Sequence, residues 1–317
     1  MREEIFVDCL ENWKKSDGHS EFWGGLAKKW GYPTSEALRQ EFKYDRKKRG
    51  IKKEDNIIIN TPKTGAKILC FDIETTPINA FVWGIWEQNV NIGAIVQDWH
   101  LISWSAKWLF DPDIITDVLT SKEAKAHDDS RICKSMWNML DQADIVITHN
   151  GNSFDIKKLN TRFIYNNMLP PKSFQSIDTL VVAKNSFAFT SNKLDYINQF
   201  LGLPVKKETD FELWVKCYYG DEEALKYMEE YNKNDVDILE DTYLKLRSFI
   251  KGHPNMNLWS EENVSVCPNC GSKELYWKGF YYTYTGYYKA FRCLGCGATG
   301  RSKQLETTKE KRKTIVR

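Results

Sequence analysis

Several features are missing from this sequence, and each absence removes a class of protein. No apolar run in its 317 residues approaches 18, so no membrane-spanning helix is expected. The opening Met1-Arg2-Glu3-Glu4 carries no apolar stretch of the kind a secretory leader needs, which makes the expected location cytoplasmic, with no membrane partner. There are no internal repeats, so a repeat architecture is not expected. A disulfide framework is missing too. Cys9, Cys70, Cys133 and Cys217 are scattered among helix-like or strand-like segments, as buried thiols are, and the other four cysteines form a pattern of their own. A strong excess of one charge is also absent, the net charge being +2.

That small net charge hides an asymmetry. Residues 39–53 carry eight Lys or Arg against Glu41 and Asp45, a net of +6, and residues 297–317 carry seven against Glu306 and Glu310, a net of +5. The remaining residues therefore carry −9. An acidic middle between basic ends suits a metal-dependent site whose polyanionic substrate is held from outside; a solvated surface run is the plain alternative at either end, and for the tail an equally good one. With 42% hydrophobic and 28% charged residues, the chain has material for a sizeable core and for two or three domains.

The stretch around which the rest is organised is Lys67-Ile68-Leu69-Cys70-Phe71-Asp72-Ile73-Glu74-Thr75-Thr76-Pro77. Side chains at i and i+2 of a strand point to one face, so Asp72 and Glu74 should project together from its end. Pro77 forbids a regular ladder beyond it. Paired acids repel unless cations stand beside them, and hard carboxylate oxygens suit Mg²⁺ or Mn²⁺. A strand end with two solvated acids would look the same at this point.

Upstream, residues 1–55 read as helical. Phe22, Leu26, Ala27 and Trp30 recur at helical spacing, Gly31-Tyr32-Pro33-Thr34 breaks the chain, and Ser35 is a plausible N-cap for a second helix through Ala37, Leu38 and Phe42. This is a helix-turn-helix outline, with Arg39, Lys43, Arg46, Lys47, Lys48 and Arg49 on the second helix. It is either a DNA-binding element or a helical cap on the body. Residues 51–64 read as a linker. Residues 66–108 are β-type, with Leu101 to Leu109 the best strand and Trp83, Trp86, Trp99, Trp104 and Trp108 as strand core. Helices are expected over 131–142, from Asp155 to about 168, near 179–187 and 193–201, and from Asp221 to about 250, with a short buried strand over 144–148. Strands first, then alternating helix and strand, indicate an α/β mixed sheet flanked by helices.

Two further acidic motifs follow. Asn150-x3-Phe154-Asp155 lies where a strand gives way to a helix, at the carboxyl end of the sheet where open α/β folds bind ligands. Tyr231-x3-Asp235 lies on the long helix, where i and i+4 share a face. Taken in order, the three motifs resemble those of the DEDD exonucleases, in the subclass with tyrosine in the third motif. The sequence is similar to the proofreading domain of family B DNA polymerases and to stand-alone 3′–5′ exonucleases related to it. The likeness runs over about residues 64–250 and takes in Ser176-Ile177-Asp178-Thr179-Leu180 and Ser191-Asn192-Lys193-Leu194-Asp195-Tyr196.

This resemblance implies an RNase H-like exonuclease domain over 64–252 with a two-metal site. Asp72 bridges both ions, Glu74 and Asp235 complete the first, Asp155 holds the second, and Tyr231 orients the attacking water. Lys193 is a surface lysine by default, or approaches the scissile phosphate as in similar proteins. Asn150 either bonds the substrate or holds its turn, and Phe154 either wedges against a terminal base or belongs to the core. Asp178 is either a further acid or an N-cap, and His149 is structural.

Near the C-terminus, Cys267-Pro268-Asn269-Cys270-Gly271 and Cys293-Leu294-Gly295-Cys296-Gly297 are two C-x2-C-G knuckles with 22 residues between the inner cysteines. Four thiolates at that spacing read as a closed, structural Zn²⁺ site of zinc-ribbon type over 262–300. Alternating aromatics from Tyr276 to Arg292 around Thr285-Gly286 fit a hairpin. One face must serve as core. The other either stacks unpaired bases, with Lys278, Lys289, Arg292 and Arg301 on the phosphates, or docks a protein. Residues 301–317 are expected to be a disordered basic tail.

The expected activity is 3′–5′ exonuclease hydrolysis of DNA, at a single strand or 3′ end, with two Mg²⁺ or Mn²⁺ and one Zn²⁺. The alternatives are an endonuclease or ribonuclease on the same fold, or a non-catalytic DNA-binding or recombination accessory protein.

Overall fold

The computed structural model describes residues 2, 4–6, 8–9, 20–48, 65–260 and 264–316, and the chain divides into two compact units, 1–59 and 60–317. In the first unit, α1 (Ser20–Trp30) and α2 (Ser35–Lys48) are joined by a short turn in which the Tyr32 N–H donates to the Ala27 carbonyl at 2.8 Å. Trp23, Leu26 and Ala27 of α1 bury against Leu38 and Phe42 of α2, with Ile5, Phe6 and Cys9 completing the cluster. The cap differs from expectation. The Thr34 hydroxyl accepts the Ala37 N–H at 3.1 Å, so Thr34 rather than Ser35 caps α2, because a cap reaches the N–H three residues on. The expected linker 51–64 and the side chains of Arg46, Lys47, Lys48 and Arg49 lie outside the described residues.

The second unit is built on five strands: β1 (Ile68–Thr75), β4 (Leu101–Trp108), β5 (Ile114–Val118), β6 (Ile145–Thr148) and β7 (Gln175–Asp178), with a separate two-stranded ribbon of β2 (Asn79–Ala80) and β3 (Ile95–Gln97). The order is β5-β4-β1-β6-β7. β1 runs antiparallel to β4 and parallel to β6, β4 is antiparallel to β5, and β6 is parallel to β7. Helices α3 (Ser121–Ala126), α4 (Ser130–Leu140), α5 (Asp155–Tyr165), α6 (Thr179–Ser186), α7 (Leu194–Leu201), α8 (Phe211–Tyr218) and α9 (Glu222–Leu246) complete it. The sequence pattern missed α8.

Alternation along β1 divides the core. Leu69, Phe71 and Ile73 bury on one face against Ile132, Met136 and Leu140 of α4 and Leu159 and Phe163 of α5. Ile68 and Cys70 bury on the other with Ile145, Ile147 and Ile177, under Val236, Leu239 and Tyr243 of α9. Each such side chain, fully buried, is worth roughly 1.5–3 kcal/mol, which holds the register that turns Asp72 and Glu74 to the second face. Helix α9 serves both cores: Leu225, Met228 and Tyr231 belong to the first, and its later residues to the second. Among the described residues no helix is long and apolar enough to cross a membrane.

The expectation of continuous strand core over 66–108 needs correction. Trp104 is buried and Trp108 packs against the core, but Trp83 and Trp86 are 105% and 81% exposed on the arm between β2 and β3. A two-stranded ribbon with two- and three-residue strands has no layer to cover it, so its apolar side chains stay in water. Trp99 is half-buried, with the Lys158 ammonium 3.6 Å from its ring centroid.

The chain ends in an antiparallel sheet of β8 (Leu275–Thr283), β9 (Gly286–Cys293) and β10 (Thr299–Leu305), followed by the short α10 (Lys309–Lys313). The expected disordered tail is therefore structured over most of its length. The Thr307 side chain is buried and accepts the Tyr287 N–H at 2.9 Å, and the Thr308 hydroxyl caps α10, so the segment has partners that composition does not reveal. The Asn269 amide donates to the Arg247 and Ile250 carbonyls at 2.8 and 3.1 Å, tying the first knuckle to the end of α9.

Candidate active site and cysteine cluster

Asp72 and Glu74 leave β1 on one face, just before a register shift between Glu74 and Thr75. Asp235 comes down from α9, and ligand oxygens of these three acids lie within 4.8 Å of one another. Asp155 opens α5 at the carboxyl end of β6. Its Oδ1 accepts the Ile73 N–H at 3.2 Å, which ties it to β1 beside the trio and not inside it. Four acids from three distant segments thus meet at one end of the sheet.

Crowding and burial make this arrangement costly as it stands. Burial first, then the charges of Asp155, Asp235 and Glu74, raise the Asp72 carboxyl well above the usual range. Glu74 is pushed up to about 7 by burial and Asp235, against the pull of the Trp214 N–H. Asp155 reaches about 7, chiefly by burial, although its own and the Ile73 N–H groups hold it down. Asp235 is raised by burial against the opposing Lys206, and its Oδ1 is buried without a hydrogen bond within the protein. Hard oxygens converging with one of them unsatisfied are the donor set a divalent cation of the Mg²⁺ or Mn²⁺ kind takes. The residues fit such an ion.

Tyr231 is one helical turn before Asp235, and its ring is buried with that of Trp214 at 5.9 Å, edge-on. Burial and the Asp235 charge push its hydroxyl up to about 12, so it stays protonated at neutral pH.

Three residues that the motifs leave unspecified complete the site. The Lys206 ammonium is 2.5 Å from Asp235 Oδ2. Burial would lower its pKa, but Asp235, Asp72 and Tyr231 together outweigh that and raise it. The Trp214 indole donates to Glu74 Oε2 at 3.1 Å, and the Asn232 amide donates to Asp72 Oδ2 at 2.7 Å. Asn232 had a legible signal, since it lies three residues before Asp235 and i,i+3 positions share a helix face. Lys206 sits in a stretch with no periodic pattern, and Trp214 is on the unforeseen α8.

The other expected residues separate. His149, Asn150, Lys193 and Lys206 line a groove of about 570 Å³ that reaches Asp72. His149 is structural: its ring nitrogens meet the Thr179 hydroxyl at 2.9 Å and the Asn192 carbonyl at 3.0 Å. Asp178 is the N-cap of α6, bonding the Leu180 and Val181 N–H groups, and it also takes the Asn150 and Asn152 N–H groups. Asn150 holds the turn, at φ 71, a region where asparagine is among the few tolerated residues. Gly151 is required beside it, because an added Cβ would stand 2.2 Å from the Thr148 hydroxyl oxygen. Phe154 is not core: it is 39% exposed, with Lys158 5.3 Å from its ring centroid. Lys193 is exposed at the start of α7, so Lys206 and not Lys193 is the lysine against the carboxylates.

The cysteine cluster is of another kind. Sγ atoms of Cys267, Cys270, Cys293 and Cys296 lie within 4.8 Å of one another, with Cys267–Cys296 and Cys270–Cys293 each at 3.6 Å. Tetrahedral Zn–S bonds of about 2.3 Å place sulfurs about 3.8 Å apart, so the four fit that ion. Both knuckles turn alike: the Gly271 and Gly297 N–H groups donate to the Cys267 and Cys293 carbonyls, with φ of 74 and 79 that a glycine adopts without strain. Cys9, Cys70, Cys133 and Cys217 are buried thiols outside either cluster.

Residues 108–246 match a family model described as the RNase_H superfamily, a span holding Asp155, Tyr231 and Asp235 but beginning after Asp72 and Glu74. No curated protein matches the chain. Among solved structures, the family B DNA polymerase from the hyperthermophilic archaeon Pyrobaculum calidifontis is similar over 58% of this chain, at 14% identity and a TM-score of 0.41. That similarity spans 25% of the polymerase chain. The five-stranded mixed sheet flanked by helices is RNase H-like, and that fold supports a nuclease acting on nucleic acid.

Proposed function

We propose that the chain is a 3′–5′ exonuclease that hydrolyses DNA phosphodiesters at a two-cation site. The observation that carries this reading is the meeting of Asp72, Glu74 and Asp235 within 4.8 Å, with Asp155 tied to the same strand. Asp72, Glu74 and Asp235 would hold one Mg²⁺ or Mn²⁺, and Asp72 with Asp155 a second. Such a pair, when bound, supplies a hydroxide-like water at neutral pH and compensates charge on the attacking and leaving oxygens.

The chain's own groups prepare that chemistry. Trp214 and Asn232 each occupy one carboxylate oxygen, on Glu74 and Asp72, which fixes the rotation of the acids and aims the remaining oxygens. Tyr231 keeps its proton, so it orients the attacking water by hydrogen bonding and does not act as its base. Lys206 keeps positive charge against Asp235 and Asp72, where an incoming phosphate needs it. The groove past Asn150 and Lys193 takes the strand, and exposed Phe154 can meet its terminal base. In the first unit, α2 presents Arg39 and Lys43 as candidate DNA contacts. The four cysteines would hold one Zn²⁺ in a structural role.

End-labelled and internally labelled strands of DNA and of RNA, digested with Mg²⁺ or Mn²⁺, test the reading. Mononucleotides released from a DNA 3′ end are expected. Internal fragments, or cleavage confined to RNA, would replace the exonuclease with an endonuclease or a ribonuclease on the same sheet.

A further inference from the structure

The C-terminal sheet carries a surface the proposed chemistry does not use. Register puts Tyr276 opposite Arg292, Tyr281 opposite Tyr288, and Arg301 of β10 opposite Ala290. Residues paired across strands and those two apart share a face, so these six side chains stand together. Between Trp277 and Phe280 the ladder of β8 is interrupted, and there a hollow of about 350 Å³ opens, with Ala290 in its lining beside Tyr276, Tyr281, Lys278 and Arg292. Ala290 is the small residue that leaves room. Tyr276 and Tyr281 are each 52% exposed, and the Arg301 guanidinium stacks 3.8 Å over Tyr288 and 5.6 Å from the Tyr281 centroid. Phe291 and Phe280, which pair with Trp277 at 5.2 Å and Tyr287 at 5.1 Å, also line the hollow.

Charge identifies the occupant. Lys278, Lys289, Arg292, Arg301 and Lys303 lie within residues 275–305, and no acidic residue does; Glu274 and Glu306 stand just outside the two ends. A purely apolar partner would leave Lys278, Arg292 and Arg301 uncompensated at this face. An unpaired polynucleotide offers both a flat apolar ring for the tyrosines and a phosphate for each cation. We propose that this hollow binds a nucleobase of a single strand, stacked against Tyr276 or Tyr281, with Lys278 and Arg292 on the flanking phosphates. The site deepens the nuclease reading by giving its substrate a second foothold, and rests on that reading only for the class of ligand.

The full-length chain carrying Asp72→Ala, without added divalent cation, is titrated with a short oligothymidine and with an abasic strand of equal length and charge. The base-bearing strand should bind about tenfold more tightly, as one stacked base allows. Adding Tyr276→Ala and Tyr281→Ala should erase that difference, and adding Arg292→Ala instead should weaken both strands alike and flatten the salt dependence. Equal affinity for the two strands with the ribbon unaltered, or a base preference that survives loss of both tyrosines, would overturn the site. Neither result depends on cleavage, so failure of the nuclease reading would show separately, in the labelled-strand digestion.

Discussion

The carboxylate trio and the cysteine quartet are both gatherings of anionic ligands, yet they are built in opposite ways. The four cysteines come from two local turns of identical construction, are all buried, and bring their sulfurs within 4.8 Å of one another. The acids come from positions as far apart as 72 and 235, reach an open groove through Asp72, and keep a lysine, an indole and an amide among them. A closed set of soft thiolates satisfies a metal completely and so holds structure. An open set of hard oxygens leaves coordination positions for water and phosphate and so can do chemistry. The two sites should therefore answer differently to the same insult.

The largest expected effect is at the open site. Asp72→Ala should cut phosphodiester hydrolysis by about 10³-fold or more, because in the proposed site this one group would serve both cations, while the melting temperature and the Zn²⁺ content stay near those of the parent. Hydrolysis at the parent rate would remove Asp72 from the site. Next comes the closed site. Stripping Zn²⁺, or Cys270→Ser, should unfold the ribbon, since a structural zinc supplies roughly 10 kcal/mol or more of apparent folding energy. Limited proteolysis should then cut within residues 264–316 and leave the sheet intact, and full resistance would mean that the hairpin holds without the metal.

Tyr231→Phe sharpens the comparison within the open site. Loss of one hydroxyl should slow hydrolysis by about 10–100-fold with binding unchanged, and an unaltered rate would show that another group orients the water.

Acid should act on the seam between the two regions. The His253 ring, buried beside the ribbon's attachment, accepts from the Tyr243 hydroxyl at 2.8 Å and donates to the Pro254 carbonyl at 2.7 Å, and burial lowers its pKa to about 4. Neutral His100, buried immediately before β4, is lowered to about 4 in the same way. Between about 6.5 and about 4 the unfolded chain binds protons that the folded chain refuses. Stability is thus complete above the upper value and falls as pH drops through the window, by about 3 kcal/mol for each ring. His253→Gln should flatten part of that slope in denaturant titrations, and an unchanged slope would place the titration elsewhere.

The smallest effect should come from Asn269→Ala. Losing two hydrogen bonds to the end of α9 should cost about 1–2 kcal/mol, with Zn²⁺ still bound. A loss of zinc would mean that docking and coordination are one unit.

Legibility followed the range of the interactions. The knuckles could be read from spacing alone because each ligand pair lies within one turn. Asp72 with Glu74, and Tyr231 with Asp235, could be read because period 2 and period 3.6 decide which side chains share a face. Trp83 and Trp86 were misread because strand-like composition does not say whether a second layer exists to cover a strand, and here none does among the described residues. The tail was misread because the partners of Thr307 lie across the sheet, on β9.

Residue order by itself thus determined the local anion pairs, the elements that carry them, and the chemistry their atoms favour. Only the tertiary structure decided that Lys206, Trp214 and Asn232 close around the acids, that Asp155 stands beside the trio, and that Tyr276 and Tyr281 flank a hollow. Those facts depend on which strands pair and how a 25-residue helix crosses the sheet end. Long-range packing sets both, and no short window of sequence contains it.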